Sequence, residues 1–201
     1  MDKISYALGM TIAHNMLQSG VSKLTYGDFA LALEDILERR QPKLSYEEAN
    51  SVLDKFFTEL QEENAAKEAE IAEAMKKEGE EFLAGNAKKE GVVVLPSGLQ
   101  YKVLKEGNDR MPGATSQVRC HYEGKFINGQ VFDSSYKRGE PAVFGLNQVI
   151  AGWTEGLQLM GEGGVCELYI PYNLAYGETG SNGAIPPCAT LIFKVELLEV
   201  L

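Results

Sequence analysis

The sequence predicts an α+β chain: an all-helical first half ending in one long helix, then an antiparallel sheet with a short helix packed on a face. Three observations predict it. Apolar residues recur at helical spacing up to Leu60, and a charged stretch without breakers follows. After Pro96 the apolar period changes to two. Asn128-Gly129 then gives a strong two-residue hairpin signal between two such runs.

Residues 1–40 read as two helices. Ile4, Leu8, Ile12 and Met16 form the stripe of the first, and Gly20 stops it. Thr25 is placed to cap the second, with Asp28 at the capping-box position, and Phe29, Leu33, Ile36 and Leu37 make its apolar face. Pro42 prevents continuation. Ser45 and Glu48 form a second capping box, opening a helix whose stripe runs through Ala49, Val52, Leu53, Phe56, Phe57 and Leu60. From Gln61 to Glu81 the residues are mostly Glu, Lys and Ala, all good helix formers, with Gly79 a tolerated weak point. A helix of about 40 residues spans roughly 60 Å. Its last part reads as polar all round, as a solvated bridge between domains would be. The predicted division is thus a helical domain over 1–90, with the long helix from about 45, and a second domain over 91–201. Two short helices and one third of a long one make a thin core. Pairing with a second copy through residues 1–60 is the natural remedy, and a self-contained helical bundle the alternative.

In the second half, Leu99, Tyr101 and Val103 alternate with polar neighbours, as do Val118, Cys120 and Tyr122. Val131-Phe132 resumes a strand after the hairpin signal. Gln148 to Met160 reads as one short helix. Val165–Ile170 and Thr190–Leu198 are the last clear strands, the latter alternating Leu191, Phe193, Val195 and Leu197, and a long loop from Pro171 to Pro187 separates them.

The bulk properties exclude several functions. A net charge of -10 in 201 residues leaves little basic surface for phosphates, so nucleic acid is not an expected partner. No run approaches the ~20 apolar residues of a membrane span. Cys120, Cys166 and Cys188 are widely spaced and odd in number, which suggests buried small residues rather than a metal site or a disulfide framework. The opening Met1-Asp2-Lys3-Ile4-Ser5-Tyr6 lacks a basic segment followed by an apolar core, so a cytoplasmic location is expected. A periplasmic or outer-membrane-associated protein whose leader is removed is the alternative.

Familiar catalytic sets are missing. His14 and His121 are the only histidines, there is no Walker loop or GxSxG, and Gly161-Glu162-Gly163-Gly164 reads as a turn. No metal and no cofactor is expected. What remains is a set of aromatics, Tyr122, Phe132, Phe144, Trp153, Tyr176 and Phe193, with Asp133 directly after Phe132. A plain structural core would account for any one of them.

Longer stretches narrow the reading. Val118-Arg-Cys-His-Tyr-Glu-Gly124, Gly129-Gln-Val-Phe-Asp-Ser-Ser135, Val149-Ile-Ala-Gly-Trp153, Ala175-Tyr-Gly177 and Ile185-Pro-Pro-Cys-Ala-Thr-Leu-Ile-Phe193 occur in one order. That order resembles the FK506-binding-protein (FKBP) type of peptidyl-prolyl cis–trans isomerase, over about residues 97–201. The first half resembles the N-terminal domain of the bacterial Mip and FkpA-like branch, through Ser5-Tyr-Ala-Leu-Gly9, the long charged helix and Asn86-Ala-Lys-Lys-Glu-Gly91. The resemblance implies a five- or six-stranded sheet wrapped on a short helix. It also implies a homodimer with interlocked N-terminal helices, and a rotamase that accelerates Xaa-Pro bond rotation in proline-containing or unfolded polypeptides, with chaperone activity.

Carried over residue by residue, the resemblance places Trp153 as the apolar floor under the proline ring. Tyr122, Phe132, Phe144, Val149, Ile150 and Phe193 form the walls, with Ile185 a further substrate-binding residue. It gives catalytic roles to the Tyr176 hydroxyl, the Ile150 backbone N–H and Asp133, with Arg138 as a partner of Asp133 or Tyr122. Ala142 stands where many members have an aromatic, Ser181 where many have His, and Ala184 where many have a larger aliphatic. A more open rim is therefore expected, which bears on substrate preference and on binding of FK506-like macrolides. Rival readings are a holdase that grips chains without turnover, and a spacer protein built around the long helix.

Overall fold

The computed structural model describes residues 1–181 and 183–201. They divide into two compact units, Met1–Ala66 and Lys67–Leu201.

The first unit holds α1 (Lys3–Gln18), α2 (Tyr26–Leu37) and the opening of α3 (Tyr46–Asn86). Asp2 caps α1 by accepting the Ser5 N–H at 2.6 Å, a cap the apolar pattern did not signal. Gly20, at φ +81, turns the chain out of α1. Thr25 occupies the N-cap of α2 with extended backbone, but its side chain makes no capping bond, so the box expected with Asp28 is not formed. Its carbonyl still accepts the Phe29 N–H at 3.1 Å, which starts the helix in register. At Ser45 the box is complete. The Ser45 N–H donates to Glu48 Oε2 at 2.9 Å, and the Glu48 N–H returns to Ser45 Oγ at 3.2 Å. No residue of α1 is buried, and Ile4, Leu8, Ile36 and Val52 are among the large apolar side chains left exposed.

The second unit begins within α3, whose last turns are not polar all round. Gly79 is buried and Phe82 and Leu83 are half-buried. Gly79 is more than a weak point: a Cβ there would lie 2.3 Å from Thr190 Oγ1. Phe82 stands 6.2 Å from the Tyr169 ring. The buried Asn86 donates to Gln100 Oε1 at 3.0 Å, and Gln100 donates to the Leu83 carbonyl at 2.9 Å. The charge density along 61–81 masked the start of a narrow contact face made of Gly79, Phe82 and Asn86.

Among the described residues seven antiparallel strands follow: β1 (Val92–Val94), β2 (Gln100–Lys105), β3 (Gln117–Phe126), β4 (Val131–Ser134), β5 (Ala142–Gly145), β6 (Val165–Ile170) and β7 (Leu191–Val200). Their order is β1-β2-β6-β7-β3-β4, with β5 also on β3. The count exceeds the five or six expected because two very short strands, β1 and β5, complete the edges. β3 pairs along its length with β7, and its other edge is shared by β5 over 117–120 and β4 over 123–125. The gap between these two partners is filled by α4 (Ser135–Arg138). The hairpin from β3 to β4 falls at Asn128-Gly129, but three residues close it. Phe126 N–H donates to the Gln130 carbonyl, Gly129 lies at φ +87, and Asn128 is not in the left-handed region that a two-residue turn of this type requires.

The helix expected over Gln148–Met160 is shorter. Leu146–Gln148 form a 3₁₀ turn, Val149 is extended (φ -110, ψ 173), and α5 runs only over Ala151–Leu157 with Ile150 as N-cap. It lies very close to β6: a Cβ on Gly152 would sit 2.4 Å from Ile170 Cγ2, and one on Gly156 2.8 Å from Leu168 Cδ2. The core between α5 and the sheet includes Val118, Cys120, Leu157, Leu168, Val195 and Leu197, so the alternations read on β3 and β7 face inward. All three cysteines are free and buried, as expected. Among the described residues no helix is long and apolar enough to cross a membrane.

Candidate active site

The inward face of the sheet and the N-terminal end of α5 enclose a cavity of about 440 Å³. Its lining is Tyr122, Phe132, Asp133, Phe144, Gln148, Val149, Ile150, Trp153, Tyr176 and Phe193. That size is within the range of small-ligand pockets, and an apolar lining with a few convergent polar groups is their usual character.

Trp153 is the centre of the arrangement. It is buried on the first turn of α5, and three rings meet it edge-on: Tyr122 at 5.3 Å, Phe144 at 5.4 Å and Phe193 at 5.3 Å, with interplanar angles of 84°, 83° and 87°. Edge-to-face packing is the favoured geometry for aromatic pairs and fixes each ring against its neighbours. Phe132 continues the wall, 5.6 Å from Phe193 and at 86° to it. Tyr122 and Phe193 reach the cavity from the adjacent strands β3 and β7, Phe132 from β4, and Phe144 from β5. Gly124 makes this possible. It faces Phe193 across the sheet, and a Cβ there would lie 2.6 Å from Phe132 Cζ and 2.7 Å from Phe193 Cε1.

The polar side of the cavity is a closed ring of three residues. The Tyr122 hydroxyl donates to Asp133 Oδ2 at 2.5 Å. Arg138, from α4, donates through Nη1 to Asp133 Oδ1 and through Nη2 to the Tyr122 hydroxyl at 2.7 Å. Its guanidinium also stands over the Tyr122 ring, 5.4 Å from the centroid. Burial alone would raise the Asp133 carboxyl, but the hydrogen bonds from Tyr122 and Arg138, with the charge of Arg138, outweigh it and hold the group below the usual carboxylate range. Burial, and then the bond to Asp133, push the Tyr122 phenol up. Tyr176 is also raised, by burial first and then by the Asp133 charge, so both phenols stay protonated at neutral pH. Tyr176 is 39% exposed, and its hydroxyl makes no hydrogen bond among the described residues. The Ile150 N–H likewise has no partner there, as befits the residue that caps α5.

Nine of the ten residues singled out from the sequence therefore line one cavity. Ile185 is not in that lining; its carbonyl accepts the Ser181 N–H at 2.9 Å. Ala142, Ser181 and Ala184 are also absent from the lining. Sequence reasoning missed Gln148, which sits in the 3₁₀ turn just before Val149, and it missed Gly124. The Gly at the end of the β3 motif was the available signal, since a glycine inside a strand often marks close approach of another group. His121 plays a supporting part. Its ring stacks on Tyr136 at 4.7 Å, and Nδ1 lies 2.9 Å from Ser135 Oγ, which in turn accepts the Tyr122 N–H at 2.8 Å. No cluster that could hold a metal ion occurs among the described residues.

Comparison with known proteins decides the family. Residues 108–198 match the model for FKBP-type peptidyl-prolyl cis-trans isomerase, and residues 1–103 match the domain amino terminal to it. The chain belongs to the FKBP-type peptidyl-prolyl cis–trans isomerases. It is 43% identical to the FKBP-type 22 kDa peptidyl-prolyl cis-trans isomerase of Escherichia coli K12, over 98% of this chain and 94% of that one. It is 41% identical to the outer membrane protein MIP of Legionella longbeachae, over 99% and 85%. Among solved structures, FkpA from Escherichia coli superposes with a TM-score of 0.75 at 36% identity, covering 98% of this chain and 95% of that one. This FKBP-type isomerase thus has the α+β fold class and the rotamase activity that its ordered motifs implied. The aromatic cluster around Trp153 is the part of the molecule suited to that activity.

Proposed function

We propose that the Trp153 cavity binds the proline of an Xaa-Pro bond and accelerates its rotation by desolvation and hydrogen-bond positioning. The observation that carries this reading is one cavity in which three edge-on rings surround Trp153, lined also by Tyr176 and Ile150, whose hydroxyl and N–H have no hydrogen-bond partner among the described residues. The amide before proline turns over a barrier of ~18–20 kcal/mol because its C–N bond is partly double. Planar resonance places charge on the amide oxygen, and water stabilises that charge. A dry aromatic site withdraws this stabilisation, so the twisted, less dipolar state gains relative to the planar one. An acceleration of about 10⁴ needs roughly 5.5 kcal/mol. Tyr176 and Ile150 hold the flanking carbonyls. Asp133 acts by fixing the Tyr122 ring and Arg138, since both of its oxygens are already engaged. In a proline-containing peptide assay, Tyr176→Phe and Asp133→Ala each lower kcat/KM several-fold with an unchanged circular dichroism spectrum. If both variants keep the full rate, the site is misassigned.

Residues 1–90 serve, in this reading, as a dimerisation domain that pairs through residues 1–60, and residues 91–201 as the isomerase domain. That α1 has no buried residue supports the pairing. Chaperone activity on unfolded chains belongs to the same reading. A holdase without turnover would need stoichiometric amounts in a proline-limited refolding assay, where the isomerase acts catalytically. In the same reading, FK506-like macrolides are further ligands of this cavity. The relative named an outer membrane protein supports an envelope location, and the expected cytoplasmic location gains nothing from the comparisons.

A further inference from the structure

The first unit contains a buried carboxylate oxygen that no described residue serves. Asp35, on α2, is only 5% exposed, and its Oδ2 has no hydrogen-bond partner among the described residues. It lies on a second cavity, of about 530 Å³, between α2 and the start of α3. The walls are largely apolar, with Leu31, Ile36, Pro42 and Leu44 prominent, and Lys43 lines the cavity without pairing with Asp35. A buried carboxylate oxygen without a donor is costly, and such atoms are normally paired. The missing donor must come through an apolar space, so it must be carried on an apolar body. A tyrosine fits that description: a flat ring with one hydroxyl at its tip. The only tryptophan, Trp153, is buried in the other unit.

Three tyrosines belong to the first unit. Tyr46 already lines the cavity without reaching Asp35, and Tyr26 lies at the start of the same helix as Asp35 and is 80% exposed. Tyr6 is on α1, the helix with no buried residue, and is 58% exposed.

We infer that the cavity over Asp35 receives Tyr6 of a second copy, whose hydroxyl donates to the Asp35 carboxylate. This rests on the proposed pairing through residues 1–60 and names the contact that fixes its register. In a twofold dimer the contact occurs twice. The site is incomplete in a single copy, and a buried acceptor waiting for one donor rejects any register that fails to deliver it.

Full-length variants test the pair. Tyr6→Phe removes only the hydroxyl, and Asp35→Leu replaces the acceptor with an apolar group of similar volume. By sedimentation equilibrium, each single change weakens the dimer about tenfold or more, because each leaves one polar group buried without its partner. The double variant is no weaker than the worse single one. Mixing the two single variants gives the sharper readout by native mass spectrometry. In the mixed dimer one contact is fully intact and the other has lost both polar partners. The mixed species therefore exceeds the statistical half of the population. A dimer indifferent to Tyr6→Phe overturns the contact while leaving the pairing through 1–60 standing. A statistical mixture with strong coupling places Tyr6 of the same copy in the cavity and overturns it as well. A wild-type chain that is monomeric at every concentration overturns both the contact and the pairing.

Discussion

Gly124→Ala puts one methyl group where the site has no room. The new carbon would lie 2.6 Å from Phe132 Cζ and 2.7 Å from Phe193 Cε1, against the 3.5–4.0 Å at which carbon atoms settle. Each ring must retreat by roughly 1 Å. Neither is free to do so. Phe132 is backed by Phe126 at 4.9 Å, and Phe193 stands against Trp153 at 5.3 Å and Tyr122 at 6.4 Å. Overpacking of a well-filled core costs about 1–3 kcal/mol, which for a domain of this size lowers Tm by on the order of 4–12 °C. The same displacement disturbs the wall around Trp153, so kcat/KM for a proline peptide falls about tenfold or more, since misplacement by 1 Å near a reacting group costs up to ~10². Calorimetry and a peptide isomerisation assay read the two effects together. Gly129→Ala is the control. It also adds a methyl group, at φ +87 but in open space, so it costs about 1 kcal/mol of strain without touching the cavity. If Gly124→Ala keeps both the wild-type Tm and the wild-type kcat/KM, the close packing inferred at this glycine is wrong.

Two further outcomes follow from the same geometry. Gly79→Ala drives a carbon to within 2.3 Å of Thr190 Oγ1 and destabilises the second unit by about 1–3 kcal/mol in urea unfolding, whereas Gly85→Ala, with open space around it, does not. For pH, the folded Asp133 carboxyl lies below its unfolded value. Its contribution is fully present above about pH 4, the unfolded range, and disappears as pH falls through the folded pKa. With Tyr122 and Tyr176 both raised, kcat/KM stays level from about pH 5 to pH 9, and Asp133→Asn removes the part of the acid sensitivity that wild type shows below pH 4.

Much of this molecule is written in local pattern. The capping box at Ser45 and Glu48 located the start of α3 to one residue, because a cap involves only neighbours along the chain. The alternations at Val118–Tyr122 and Leu191–Leu197 gave the buried faces of β3 and β7, since side chains of a strand must point to opposite sides. The ordered motifs brought together nine residues that now line one cavity. Contacts between distant segments were not legible. The glycines at 79, 124, 152 and 156 look like weak points in a helix or strand, yet each marks a place where another side chain comes too close for a Cβ. The break between the 3₁₀ turn and α5 was missed because Val149 and Ile150 are as apolar as the helix they interrupt. Ile185 was assigned to the site by its motif, and it is not among the residues that line the cavity. The sequence by itself determined which elements form and which aromatics are available, because periodicity, caps and composition are properties of neighbouring residues. Only the tertiary structure decided that Tyr122, Asp133 and Arg138 close into one ring beside Trp153, because their distances depend on strand register and on where β4 leaves β3 for α4.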